Sequence, residues 1–144
     1  MYQKVSKEDK IVEIELNEGS IIGFITNANE STRLTNKLSN FYVNGFNLSM
    51  DLADNGERIA MIENLFVEDY YKMQGFGTKL LKMFIHKAAE KKVQQIILMA
   101  DKTEDNLFDL QSWYARYGFR LMQDDDEFAL IVKKGGEMHD KNIQ

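Results

Sequence analysis

The residues with the most chemistry in this sequence surround two glycines. Gly75 and Gly77 follow an apolar stretch that ends in Leu65-Phe66-Val67, and they precede Thr78-Lys79-Leu80-Leu81, where a helical period begins. Glycine lets the main chain come close to a ligand. The first N–H groups of a helix have no internal partner, and the helix dipole adds about half a positive charge there. Such a junction suits an anion, and phosphate in particular. Lys72 and Lys79 flank it with mobile positive charge. Two familiar phosphate loops do not fit. G-x-G-x-x-G would need glycine where Leu80 stands, and no Gly-Lys-Ser/Thr follows a glycine at P-loop spacing. The other reading of a lone Gly-x-Gly pair is a tight connection with no ligand.

The elements that must position this loop follow from periodicity. Val12, Ile14 and Leu16 alternate with Glu13 and Glu15, as in a half-buried strand. Asn17-Glu18-Gly19-Ser20 supplies a turn, and Ile21–Thr26 reads as the returning strand. Asn27–Asn40 is polar, and the Leu34/Leu38 spacing suits either one short helix or a loop. Phe41–Leu52 alternates, so a strand is expected there, with Asp54-Asn55-Gly56 as a hairpin turn into the strand Arg58–Val67. From Gly75 to Lys91 the period is helical, with Leu80, Leu81, Phe84, Ile85 and Ala88 on one stripe. Val93–Ala100 ends in a continuous apolar run, which suits a strand buried on both faces. Strand, helix, strand at this spacing predicts a βαβ unit, with Arg58–Val67 and Val93–Ala100 parallel.

Thr103 or Asp105 can cap a second helix bearing Leu107, Leu110, Trp113 and Tyr114, with Gly118 beyond its C-terminus. Phe119–Met122 and Phe128–Val132 form a last strand pair around an acidic turn. The expected class is α+β: a mixed, mostly antiparallel sheet with a central parallel strand pair and flanking helices. Residues 1–134 read as a single domain and 135–144 as a flexible C-terminal tail.

Composition narrows the function. The 144 residues include no cysteine and no proline, and 18 basic against 23 acidic side chains leave a net charge of −5. The absence of cysteine excludes a disulfide scaffold, a zinc finger, an iron–sulfur cluster and a thiol nucleophile. Two histidines argue against a histidine metal site. The acidic balance argues against nucleic acid as a partner. No apolar run approaches the roughly 20 residues of a membrane helix, and Met1–Lys10 has no apolar signal core. A cytoplasmic protein with no membrane partner is the resulting expectation.

Ile62–Leu81 resembles motif A of the GNAT superfamily of N-acetyltransferases, with Tyr71, Gln74, Gly75, Gly77, Thr78, Leu80 and Leu81 standing as in that pattern. Trp113-Tyr114-Ala115-Arg116-Tyr117-Gly118-Phe119 is similar to its motif B, and the likeness extends over about residues 41–132. The resemblance implies acetyl-CoA as acetyl donor and a primary amine, on a small molecule or a protein, as acceptor. It implies a gap between Arg58–Val67 and Val93–Ala100 in which the main chain of Leu65, Phe66 and Val67 meets the pantetheine arm. The pyrophosphate falls to Lys72, Met73, Gln74, Gly75, Phe76, Gly77, Thr78 and Lys79. The amine attacks the thioester directly, and Tyr114 matches the tyrosine that protonates the departing thiolate. Without cysteine no acyl-cysteine can form.

Glu63, on the strand beside the gap, is the candidate general base, its other reading being an ordinary outward-facing glutamate. Tyr114 has an alternative reading too, as a core aromatic. Asn106 stands one position from the asparagine that the family often uses as a further cofactor contact.

Three positions depart from the pattern: Lys72 replaces an arginine, Met73 a glycine, and Asp69 a frequent proline. Met73 could crowd the pyrophosphate or be forced to positive φ. The two helices that usually shape the acceptor side are answered here by a hairpin and the polar 27–40 segment, so that side is shortened or rebuilt. The acidic surface would steer a cationic acceptor. Edge strands near the C-terminus could pair two copies into a homodimer. The competing function is a catalytically inactive GNAT-fold binding or structural protein.

Overall fold

The computed structural model describes residues 9–39, 41–43, 45–101, 107–124 and 128–134. Asn106 and the expected tail 135–144 lie outside the described residues. The early alternation builds the first hairpin: β1 (Lys10–Leu16) pairs antiparallel with β2 (Gly19–Asn27) around Asn17-Glu18. The polar stretch that follows is ordered by a cap. The Ser31 hydroxyl accepts from the Leu34 N–H at 3.0 Å and starts α1 (Thr32–Leu38), whose Leu34 and Leu38 are both buried. Of the two readings of this segment, the helix is the one found.

Phe41–Leu52 is not one strand. Two short strands, β3 (Tyr42–Val43) and β4 (Phe46–Asn47), make a separate hairpin, and α2 runs from Leu48 to Asn55. Leu48 and Leu52 lie on one face under either period, so alternation could not separate strand from helix there. Local chemistry settles it. The Asn47 side chain accepts from the Ser49 N–H at 3.1 Å, which caps the helix start. Gly56 is likewise not a hairpin turn. Its φ is +64°, and its N–H donates to the Leu52 carbonyl at 3.0 Å, which closes the last turn of α2.

The rest follows the expected order: β5 (Arg58–Val67), α3 (Phe76–Glu90), β6 (Gln95–Asp101), α4 (Leu107–Ala115), β7 (Arg120–Asp124) and β8 (Phe128–Lys134). One six-stranded sheet runs β1-β2-β5-β6-β8-β7. Among the described residues only β5 and β6 are parallel; the other pairs are antiparallel. The sheet divides the core. Ile62, Ile96 and Leu98 pack with Leu80, Phe84 and Tyr114 on one face, while Ile59, Met61 and Ile97 pack with Phe24, Leu34 and Leu38 on the other. Ile96 and Ile97 thus serve opposite layers, which is why β6 is continuously apolar. Among the described residues no helix is long and apolar enough to cross a membrane.

Two register facts shape the site. Gly23 of β2 opposes Ile62 and Ile22 opposes Asn64, so Glu63 is an extra residue, a bulge in β5. The parallel pairing of β5 with β6 runs only from Ile59/Gln95 to Ile62/Leu98. The strands part at the bulge, because an inserted residue bends its strand and increases the local twist. Gly23 is required opposite it, since a Cβ there would collide with the Met61 carbonyl oxygen. Gly23→Ala is therefore expected to lower the unfolding free energy by about 1–3 kcal/mol in urea titration; an unchanged midpoint would show that the strand pair can relax at no cost.

Candidate active site

The glycine loop has the geometry its residue types suggest. After β5 a single 3-10 turn (Asp69–Tyr71) leads to Lys72, and Met73 and Gly75 then adopt φ of +67° and +88°. Gly75 is the N-cap of α3, and among the described residues no side chain caps that helix, whose backbone ladder begins with the Lys79 N–H donating to the Gly75 carbonyl at 3.0 Å. The N–H groups of Phe76, Gly77 and Thr78 therefore precede the helical ladder. Among the described residues, and apart from its chain neighbours, no atom lies within 4 Å of where a Cβ would stand on Gly75, so they leave the approach to these donors open. Tyr71 fixes the loop by edge-on contacts to Tyr70 and Phe76, at centroid distances of 5.1 and 5.6 Å. The Gln74 amide donates to the Tyr70 carbonyl at 3.1 Å.

The departures from the motif are visible as structure. Met73 does take the left-handed conformation, but its side chain is fully exposed and does not crowd the helix start. Lys72 reaches back to Asp69 at 2.8 Å, and this ammonium holds the Asp69 carboxyl below its usual range. Both groups are exposed, so the pair is worth little and its lysine is readily released to another anion.

Three elements converge beside the loop. A Cβ on Gly77 would touch Val67 at 3.7 Å and the Trp113 ring at 3.8 Å, which places the end of β5, the start of α3 and α4 side by side. Thr78 Oγ1 and the Tyr117 hydroxyl are 3.0 Å apart. The buried Lys133 ammonium donates to the Tyr117 carbonyl at 2.7 Å. Tyr114 is buried in the same layer as Ile62, Leu98 and Ala100, the residues next to the parting of β5 and β6. Burial pushes its phenol up to about 12, so it keeps its proton across the physiological range.

Glu63 stands on the other face of the sheet. Its Oε1 accepts from Arg33 Nη2 at 2.6 Å, and its Oε2 lies 3.3 Å from Lys37 Nζ. Glu63 shares the α1 face with Ile59 and Met61 by simple alternation, and there its carboxylate is paired; the bulge re-faces the residues after it, so that Leu65 and Val67 join the layer of Ile62. Tyr114 and Glu63 thus flank the strand gap from opposite faces. Leu65, Phe66 and Val67 line β5 beyond its last pairing with β6, and Lys79 lies in the first turn of α3. Sequence reasoning missed Arg33, Lys37 and the bond of Tyr117 to Thr78. Arg33 and Lys37 share the spacing of Leu34 and Leu38, so a helix there would have shown both cations on one face.

The fold and this loop place the chain in a family. The model of the acetyltransferase (GNAT) family matches residues 3–119, and the chain belongs to that family. No curated protein matches the sequence significantly. Among solved structures, the PaiA N-acetyltransferase from Thermoplasma acidophilum, in complex with coenzyme A, is 15% identical with a TM-score of 0.54, over 88% of this chain and 61% of that one. The chain thus spans about three fifths of that protein's length. An acetyltransferase from Bacillus cereus is 16% identical with a TM-score of 0.57, over 93% of this chain and 79% of the other. Arabidopsis thaliana NAA60, in complex with acetyl-CoA, is 16% identical with a TM-score of 0.55, over 81% and 64%. At these identities the likeness is one of fold.

Two predictions follow from this geometry. A left-handed non-glycine residue costs about 1–2 kcal/mol, and glycine returns about 0.4–1 kcal/mol to the unfolded chain. Met73→Gly should therefore raise stability by roughly 0.5–1 kcal/mol in urea, and a loss would mean that the Met73 side chain makes a stabilising contact. For Tyr114, the folded phenol loses its proton near pH 12, against about 10 when unfolded. Between those values the folded state binds the extra proton, so stability is full below about pH 10 and falls as pH rises toward 12, by up to ~3 kcal/mol. Tyr114→Phe should flatten that part of the alkaline unfolding profile, and an identical slope in both proteins would refute the assignment.

Proposed function

We propose that this protein transfers an acetyl group from acetyl-CoA to a primary amine. The observation that carries the reading is the parting of β5 and β6 at the Glu63 bulge, beside an uncapped helix start approached through two glycines. In this reading the N–H groups from Gln74 to Thr78 hold the pyrophosphate, with Lys72 and Lys79 as mobile counter-charges. The free edge of β5 at Leu65, Phe66 and Val67 takes the pantetheine amides, as a strand edge takes an extended peptide. The thioester supplies an acetyl carbon: the amine forms the new C–N bond as the C–S bond breaks.

Each catalytic residue has a bounded task. A carboxylate offers about four lone-pair sites, and Arg33 and Lys37 occupy two of those on Glu63. The rest can receive the amine and take its proton, directly or through water. Tyr114, protonated up to about pH 12, is a hydrogen-bond donor to the departing sulfur. A thiol loses its proton near 8.5, so the phenol is the weaker acid by about 3.5 pK units. Tyr114 therefore stabilises the sulfur chiefly by donating a hydrogen bond to it, while the proton that the nitrogen loses as the amide forms passes to the thiolate, directly or through water, to leave the CoA thiol. Asn106, one position from the family's asparagine, is retained as a further contact to the donor. A second copy would add at the β7 edge, where Leu121 is exposed.

Calorimetry with acetyl-CoA tests the donor, and the absence of binding at millimolar acetyl-CoA would end the proposal. Tyr114→Phe should lower kcat by roughly tenfold or more, toward the ~10²-fold of a positioned proton donor. Its KM for acetyl-CoA should change little; full turnover in this variant would return Tyr114 to a packing role.

A further inference from the structure

We infer that the acceptor is a small amino-carboxylate, its amine received by Glu63 and its carboxylate by Arg33 and Lys37. The inference rests on the acetyl-transfer reading and names a substrate class for it. Position comes first. Glu63 is the bulged residue at which β5 leaves β6, so α1 brings Arg33 and Lys37 to the mouth of the strand gap.

Valence comes second. Arg33 and Lys37 each contact Glu63, and among the described residues it is their one acidic partner. The cluster holds two cations and one anion, a local charge of +1. A guanidinium carries about five N–H donors and an ammonium three, so most of the donors here remain unused. With side chains 42% and 38% exposed, Arg33 and Lys37 are within reach of a small molecule.

Orientation comes third. The Arg33 guanidinium lies over the Phe24 ring, 4.8 Å from its centroid, and Phe24 is fully buried. Buried Leu34 and Leu38 fix the helix that carries both cations. The fork is thus held in a planar setting suited to a carboxylate. A simple amine would be received beside an unbalanced positive charge, whereas an amino-carboxylate neutralises the cluster while its amine takes the free lone pairs of Glu63. This reverses what the chain's net charge of −5 suggests. Distant charges are screened over about 8 Å at physiological salt, so groups at contact distance decide the preference.

The test measures thiol release from acetyl-CoA with three matched pairs: glycine, β-alanine and γ-aminobutyrate, each against its amide. At least one acid should exceed its amide by about tenfold in kcat/KM, the equivalent of ~1.4 kcal/mol. Lys37→Gln and Arg33→Gln should each shrink that ratio to about threefold or less, mainly through KM for the acceptor. Amides acetylated as well as the acids, or a preference that survives both substitutions, would overturn the inference. If acetyl-CoA binds and no amine is acetylated, the transfer reading fails by itself. Calorimetry of each pair on the CoA-loaded protein then judges the inference separately: tighter binding of an acid supports it, and equal or absent binding overturns it.

Discussion

One slipped register governs this molecule. Because Gly23 faces Ile62 while Ile22 faces Asn64, β5 holds one residue more than its neighbour can pair. The surplus bends the strand away from β6 after four paired positions, from Ile59/Gln95 to Ile62/Leu98. Everything of chemical interest gathers where the strands part. Below the parting the two strands are clamped by core on both faces. Above it, β5 ends in a free edge that leads straight to the glycine loop and the start of α3. A regular ladder would have left no space in the sheet, and Glu63 would have been one more paired strand residue.

Much of this was legible in the sequence, for identifiable reasons. The helix α3 and the strands on either side carry strong, unambiguous periods, and their order alone fixes a parallel pair. The glycine loop was legible because Gly75 and Gly77 permit a backbone few other residues do. Even the strain at Met73 could be anticipated from its place in the loop. The segment between β2 and β5 was harder. Leu48 and Leu52 satisfy a strand period and a helix period equally, and only the Asn47 cap and the positive φ of Gly56 decide between them. The bulge had no local signal, since it is a relation between two strands rather than a property of either. The engagement of Glu63 by Arg33 and Lys37 was hidden for the same reason, at separations of 30 and 26 residues in the chain.

The site also shows how charge is distributed on a chain that is acidic in total. Asp69 sits opposite Lys72 in the glycine loop, while Glu63 is outnumbered by cations at α1. Exposed pairs of the first kind contribute little to stability and exchange freely. The second kind is anchored by buried leucines and an aromatic ring. The two ends of the gap are therefore built differently: an exposed loop at one, a helix anchored in the core at the other.

The contact between Thr78 and Tyr117 has a consequence for proton direction. Each hydroxyl has one proton and two lone pairs, and at 3.0 Å either can be the donor. Were an anion at the start of α3 to accept a hydrogen bond from the Thr78 hydroxyl, that freedom would end: Thr78 could only accept from Tyr117, and Tyr117 would donate. Negative charge at one helix start would thereby set the polarity of a hydroxyl in the turn that follows α4, three residues beyond Tyr114. A negative charge at the loop would thus be registered in the turn after α4 as the orientation of a single O–H bond, with no backbone atom obliged to move.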